Sequence, residues 1–322
     1  MKSNWNDSAA LNGNHNRHSH ERAAVEVTAK GILDSRSLPD SDFDSLWESI
    51  VLEPRTKDRL LSQAILNFTL RGKLERASIP LHGIILLVGP PGTGKTSLAR
   101  GLASKTAKSC GGKGFHFLEV EPHVLASASL GKSQQGVRQL LGTVIAEQAA
   151  YGPVIVLLDE VETLAADRSK MSLEANPVDV HRATDAVLAQ LDQLAVNYPH
   201  LLFVATSNFP KAIDAAFLSR VDQIITIDLP GAEACQEIAA DTLAVLGTKF
   251  HKIELLLKQR ECEELGKRCL GLDGRQIRKA VLSSLTLHKA TAVDPNQLTI
   301  EDVLAAIHDA KAESKHAKQW QQ

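Results

Sequence analysis

Gly89-Pro90-Pro91-Gly92-Thr93-Gly94-Lys95-Thr96 fits the pattern G-x-x-x-x-G-K-[ST] in full. An apolar stretch, residues 84–88, runs into it, and a helical pattern over 95–108 leaves it, the context this loop requires. The chemistry follows from the residue types. Glycines let the backbone close around a dense anion so that successive N–H groups point inward. The helix that follows adds the positive end of its dipole. Lys95 is placed to reach the terminal phosphates and the Thr96 hydroxyl to ligate a magnesium ion, with Ser97 next to them in the helix. The expected ligand is ATP with Mg²⁺.

Four more strand-length apolar stretches follow, at 115–120, 154–158, 201–205 and 224–227. Most are continuous rather than alternating, as expected of parallel strands buried on both faces. Helical patterns at 133–150, 178–195 and 211–219 separate them, so the expected fold is an α/β layer structure with a five-stranded parallel sheet. Asp159-Glu160 ends the stretch Val154-Ile155-Val156-Leu157-Leu158 and faces the phosphates in such a topology. Asp159 is a magnesium ligand by this reading, and Glu160 polarises the attacking water. Asn208 follows the strand at 201–205 and can hydrogen-bond that water or a phosphate oxygen. Arg220 and Arg275 can each stabilise charge on a phosphoryl group; by residue chemistry alone, either is also an ordinary solvated arginine.

The remaining sequence sets limits. With 322 residues, about two domains are expected. After Pro230-Gly231 the strand pattern stops and residues 231–312 read as a helical domain; 45–230 hold the α/β domain. Residues 1–44 are polar and read as a mostly disordered arm, and 313–322 as a polar tail. His15, His18 and His20 lack a cysteine or carboxylate partner at ligand spacing. The four cysteines form no C-x-x-C pair and read as reduced thiols of a cytoplasmic protein. No apolar run approaches the ~18 residues of a membrane helix, and a net charge of -2 provides no basic field for nucleic acid.

The order of phosphate loop, Asp-Glu strand, Asn strand, arginine and helical lid resembles an AAA+ ATPase over about residues 45–312. The resemblance implies strand order 5-1-4-3-2 with a helical lid. It also implies sensor roles for Asn208 and Arg275, and an arginine finger at Arg220 that acts on a neighbouring subunit, hence a homo-oligomer, normally a hexameric ring. It places the adenine pocket at Leu46-Trp47-Glu48-Ser49-Ile50, with Ile50 among the nucleotide contacts. Val161-Glu162-Thr163-Leu164, Thr206-Ser207-Asn208 and Gly274-Arg275 with Arg278-Lys279 narrow the match to the pachytene-checkpoint type, which remodels HORMA-domain proteins. The short polar arm, in place of a substantial N-terminal domain, resembles the bacterial members that act in antiphage defence. The family's pore loop falls on Ala128-Ser129-Leu130-Gly131, where Ser129 replaces an aromatic and leaves Leu130 as the apolar grip, beside Gly131. A second pore segment is expected over 168–182.

Two other readings compete. A DNA motor of helicase or clamp-loader type needs a basic pore, but residues 125–135 offer Lys132 only. A nucleotide-dependent scaffold without turnover conflicts with an intact Glu160. No H-E-x-x-H or G-x-S-x-G supports a protease.

Overall fold

The computed structural model describes residues 29–75, 78–112, 114–121, 132–165 and 177–320. Its centre is a sheet of β1 (Ile32–Leu38), β2 (Ile84–Val88), β3 (Phe115–Val120), β4 (Val154–Leu158), β5 (Leu201–Ser207) and β6 (Gln223–Thr226), in spatial order β1-β3-β4-β5-β2-β6. The five strands from β2 to β6 are parallel, and counted from β2 they stand in the expected order 5-1-4-3-2.

Their continuous apolar runs have a simple cause. Successive side chains of a strand point to opposite faces, and here both faces are covered. Ile84, Leu86 and Val88 join one buried cluster with Val156 and Phe203. Ile85 and Leu87 join another with Ile155 and Val204. The first is closed by α4 (Lys132–Gln139), a π-helical turn, α5 (Ala146–Tyr151) and α6 (Pro177–Asn197). The second is closed by α1 (Ser41–Ser49), α2 (Pro54–Leu70) and α3 (Lys95–Ser109).

The sheet has six strands rather than five. Residues 32–44, expected within the polar arm, form β1 and the start of α1, while residues 1–28 lie outside the described residues. β1 pairs antiparallel with β3, Leu38 opposite Phe115. Its sequence, Ile-Leu-Asp-Ser-Arg-Ser-Leu, carries little apolar signal because an edge strand buries only part of one face. Polar contacts hold it: the Ser35 hydroxyl lies 2.9 Å from His116 Nε2, and Arg36 stacks on the Phe43 ring. Asp40 then caps α1 by accepting the Phe43 N–H at 2.9 Å.

α1 crosses α3 closely. A Cβ added at Gly101 would lie 2.7 Å from Trp47 Cβ and 2.8 Å from Trp47 N and Cα. The neighbour is backbone and cannot yield cheaply, so the clash outweighs the gain in helix propensity, at most ~1 kcal/mol. Gly101→Ala is therefore expected to destabilise the fold by about 1–3 kcal/mol in urea unfolding. Gly136→Ala on α4, where an added Cβ meets no other part of the described residues within 4 Å, is expected to stabilise it. Equal midpoints for the two variants would contradict this packing.

Beyond the sheet lie α7 (Ala215–Leu218) and a helical bundle of α8 (Ala232–Gly247), α9 (His251–Leu256), α10 (Leu265–Cys269), α11 (Gly274–Ser283), α12 (Lys289–Val293) and α13 (Ile300–Trp320). The bundle has its own core, with Ile238, Leu243, Ile253, Leu265, Ile277 and Val303 fully or almost fully buried. α13 runs through most of the expected tail, since Ala, Lys, Glu and Gln there favour helix whatever their polarity. All four cysteines are free; Cys235, Cys262 and Cys269 are buried in the bundle, and burial pushes the Cys269 thiol up to about 12. No helix among the described residues is long and apolar enough to cross a membrane.

The extended stretch after α1 joins the two cores. Ile50 and Leu52 pack on the sheet side, Val51 between them packs on the bundle, and Arg278 of α11 donates to the Ser49 carbonyl at 2.8 Å.

Candidate functional site

Strand register decides what meets at the carboxyl edge of the sheet. Val88 pairs with Ser207, and Leu158 with Ala205. Just beyond these pairs Gly89 comes level with Asn208, and Asp159 with Thr206, so all four emerge at the same end of the sheet.

The loop 89–94 takes conformations that favour glycine: φ is +82° at Gly92 and +86° at Gly94. At either position a side chain would strain the backbone and displace a neighbour. A Cβ at Gly92 would collide with the Asp273 carboxylate and one at Gly94 with the Ile50 side chain. Thr93 Oγ1 donates to the Pro90 carbonyl at 2.9 Å and steadies the turn that Pro90 and Pro91 begin. Lys95 is only 5% exposed, and its ammonium donates to the Gly89 and Pro90 carbonyls at 2.9 and 2.7 Å. Burial lowers its pKa, opposed by the charges of Asp159, Glu162 and Glu160.

Behind the loop, Asp159 Oδ1 accepts from Thr96 Oγ1 at 2.8 Å and from Thr206 Oγ1 at 2.5 Å. Thr206 is buried in β5 and also accepts the Glu160 N–H at 3.1 Å. That bond helps hold Glu160 in the left-handed region, φ 50° and ψ 54°, the one non-glycine residue with positive φ among the described residues. Such a conformation costs on the order of 1–3 kcal/mol and persists where neighbours over-determine it. Glu160 Oε1 accepts from Asn208 Nδ2 at 3.1 Å, while the Asn208 N–H is held by Glu162 Oε1 at 3.1 Å.

A cleft of about 320 Å³ opens between the loop and the bundle, lined by Ile50, Gly92, Thr93, Gly94, Ser97 and Arg275, among others. Asp273 caps α11 in a reciprocal capping box with Gln276, and Arg275 stands in the first turn. The structure thus gathers Lys95, Thr96, Asp159, Glu160 and Asn208 at one edge, with Ile50 and Arg275 on the adjoining cleft.

Arg220 lies elsewhere. Its guanidinium donates to both Asp192 oxygens at 2.8 and 2.7 Å and to the Ala216 carbonyl at 2.6 Å. Ser129, Leu130, Gly131 and the stretch 166–176 lie outside the described residues.

Sequence reading missed Thr206, Glu162, Asp192 and Asp273. Thr206 and Glu162 stand within or next to the motifs quoted above, so position alone could have suggested them. Asp192 stands in the stretch 185–194, which also resembles the family, but neither it nor Asp273 shows its partner in the sequence; only the packing of α6 and α11 does.

Residues 85–229 match the model of the ATPase family associated with various cellular activities, AAA. CD-NTase-associated protein 6 of Pseudomonas aeruginosa is 57% identical over 282 residues, covering 88% of this chain and 93% of that protein. A pachytene checkpoint protein 2 homolog of Arabidopsis thaliana is 34% identical over 276 residues, 75% of this chain; the match spans 59% of that longer protein. A chain in the solved E. coli MS115-1 HORMA:CdnC:Trip13 complex superposes with a TM-score of 0.72 at 20% identity, over 86% of this chain and 95% of that one, which shows a shared fold.

Proposed function

Because this chain belongs to the AAA ATPase family, alongside CD-NTase-associated protein 6, we propose that it couples ATP hydrolysis in a hexameric cytoplasmic ring to the remodeling of a HORMA-type regulatory protein in antiphage signalling. The observation that carries this reading is the 57% identity over 282 residues. The residues fit the chemistry. The loop N–H groups and Lys95 hold the phosphates, and Ile50 and Ser97 border the rest of the nucleotide. Thr96 and Asp159, one hydroxyl and one carboxylate, suit Mg²⁺, which takes its other ligands from phosphate and water. Bound there, the ion neutralises charge on the phosphates. Glu160 takes the proton of the attacking water, and Asn208 fixes the carboxylate that does so. Arg275 reaches in from the bundle as a lid, and Arg220 serves the site of the next subunit. Ser129, Leu130 and Gly131 contact the substrate protein in the pore.

The test is a trap. Glu160→Gln, loaded with ATP and recovered from the native cell, is expected to retain a HORMA-fold protein. Nucleic acid in the trap with no protein partner would move the reading to a DNA motor.

A further inference from the structure

Arg220 has five N–H donors. Three are engaged within the chain: Nε and Nη2 by the two oxygens of Asp192, and Nη1 by the Ala216 carbonyl. One N–H on each of Nη1 and Nη2 has no partner among the described residues. Asp192 takes the Nε–Nη2 edge of the planar guanidinium, so the carboxylate leaves the Nη1–Nη2 edge, which suits two oxygens of a phosphoryl group, unoccupied. The carboxylate is itself placed from a second direction, because His82 Nε2 lies 3.3 Å from Asp192 Oδ1. The Arg220 side chain is 21% exposed and that of Asp192 42%, so the pair stands at the surface, where a second copy of the chain can reach the arginine.

We infer that Asp192 is a positioning residue for Arg220: the two-pronged contact from α6, together with the Ala216 carbonyl, fixes the guanidinium plane and presents its two remaining donors outward to a phosphate held by another subunit. The alternative is a latch, in which Asp192 competes with the phosphate for the same donors. The geometry favours positioning, because the carboxylate occupies the Nε edge and leaves the other free. The inference rests on the proposed role of Arg220 in trans.

The test is a double-mutant cycle on the full chain, read as kcat and KM for phosphate release from ATP. Asp192→Asn keeps the shape and one acceptor but loses the paired contact. It is expected to lower kcat about tenfold with KM little changed, the mark of an interaction used mainly in the transition state. In an Arg220→Ala background the same change is expected to do nothing further. Asp192→Glu, which restores the carboxylate, is expected to recover part of kcat. An equal loss in both backgrounds would make Asp192 merely structural and overturn the inference, while the role of Arg220 stands. Unchanged or faster turnover in Asp192→Asn would also overturn it, the faster case in favour of a latch. Normal turnover in Arg220→Ala alone would remove the trans role and the inference with it.

Discussion

Glu160→Gln is expected to bind ATP as the parent does and to release phosphate at least about 100-fold more slowly, the usual range for loss of a general base. The separation of the two effects comes from geometry. The carboxylate accepts one hydrogen bond from Asn208, and a glutamine oxygen can accept the same bond, so the side chain stays in place. Its left-handed backbone is held by Thr206 and by neighbours the substitution does not touch. Only basicity is lost. Phosphate release at saturating ATP, set beside equilibrium nucleotide binding, checks both halves. Turnover within tenfold of the parent would transfer the proton-accepting role to another group.

Lys95→Ala is expected to weaken ATP binding by roughly two orders of magnitude or more, since hydrogen bonds to charged groups are each worth about 1.5–3 kcal/mol. The loss exceeds that of an exposed lysine for two reasons. Lys95 is almost fully buried, so no water replaces it at low cost. It is also the cation facing Asp159, Glu162 and Glu160, and without it an incoming phosphate meets uncompensated negative charge. Calorimetric titration with ATP reads the effect, and a variant that still bound with the parent's affinity would overturn it. The Gly89 and Pro90 carbonyls lose their partner as well, so a modest fall in thermal stability should accompany the loss.

Much of this site was legible because its local constraints are strict. A loop that wraps phosphate needs glycines at fixed offsets from a lysine, and a strand buried on both faces needs an unbroken apolar run. Those demands leave their mark within eight residues or fewer. β1 was not legible, because pairing along one edge asks little of its side chains and Ser35, Arg36 and Asp34 look like those of a solvated arm. Nor were the carboxylates that organise the arginine and the loop. Asp192 meets Arg220 from 28 positions away, and Asp273 meets Gly92 only because the bundle folds back over the sheet. A pairing of that kind has no sequence period and exists only once tertiary packing has formed.

The stretch after α1 has a mechanical consequence. An extended chain whose alternate side chains are seated in two different cores cannot follow one of them without dragging on the other. The linkage does not stop there: Val51 pulls on the bundle, Trp47 bears on Gly101 of α3, α3 starts at Lys95, and Gly92 abuts Asp273 back on the bundle. These contacts form a closed kinematic loop around the nucleotide cleft. A rotation of the bundle against the sheet would therefore be felt at every one of these contacts, on both walls of the cleft.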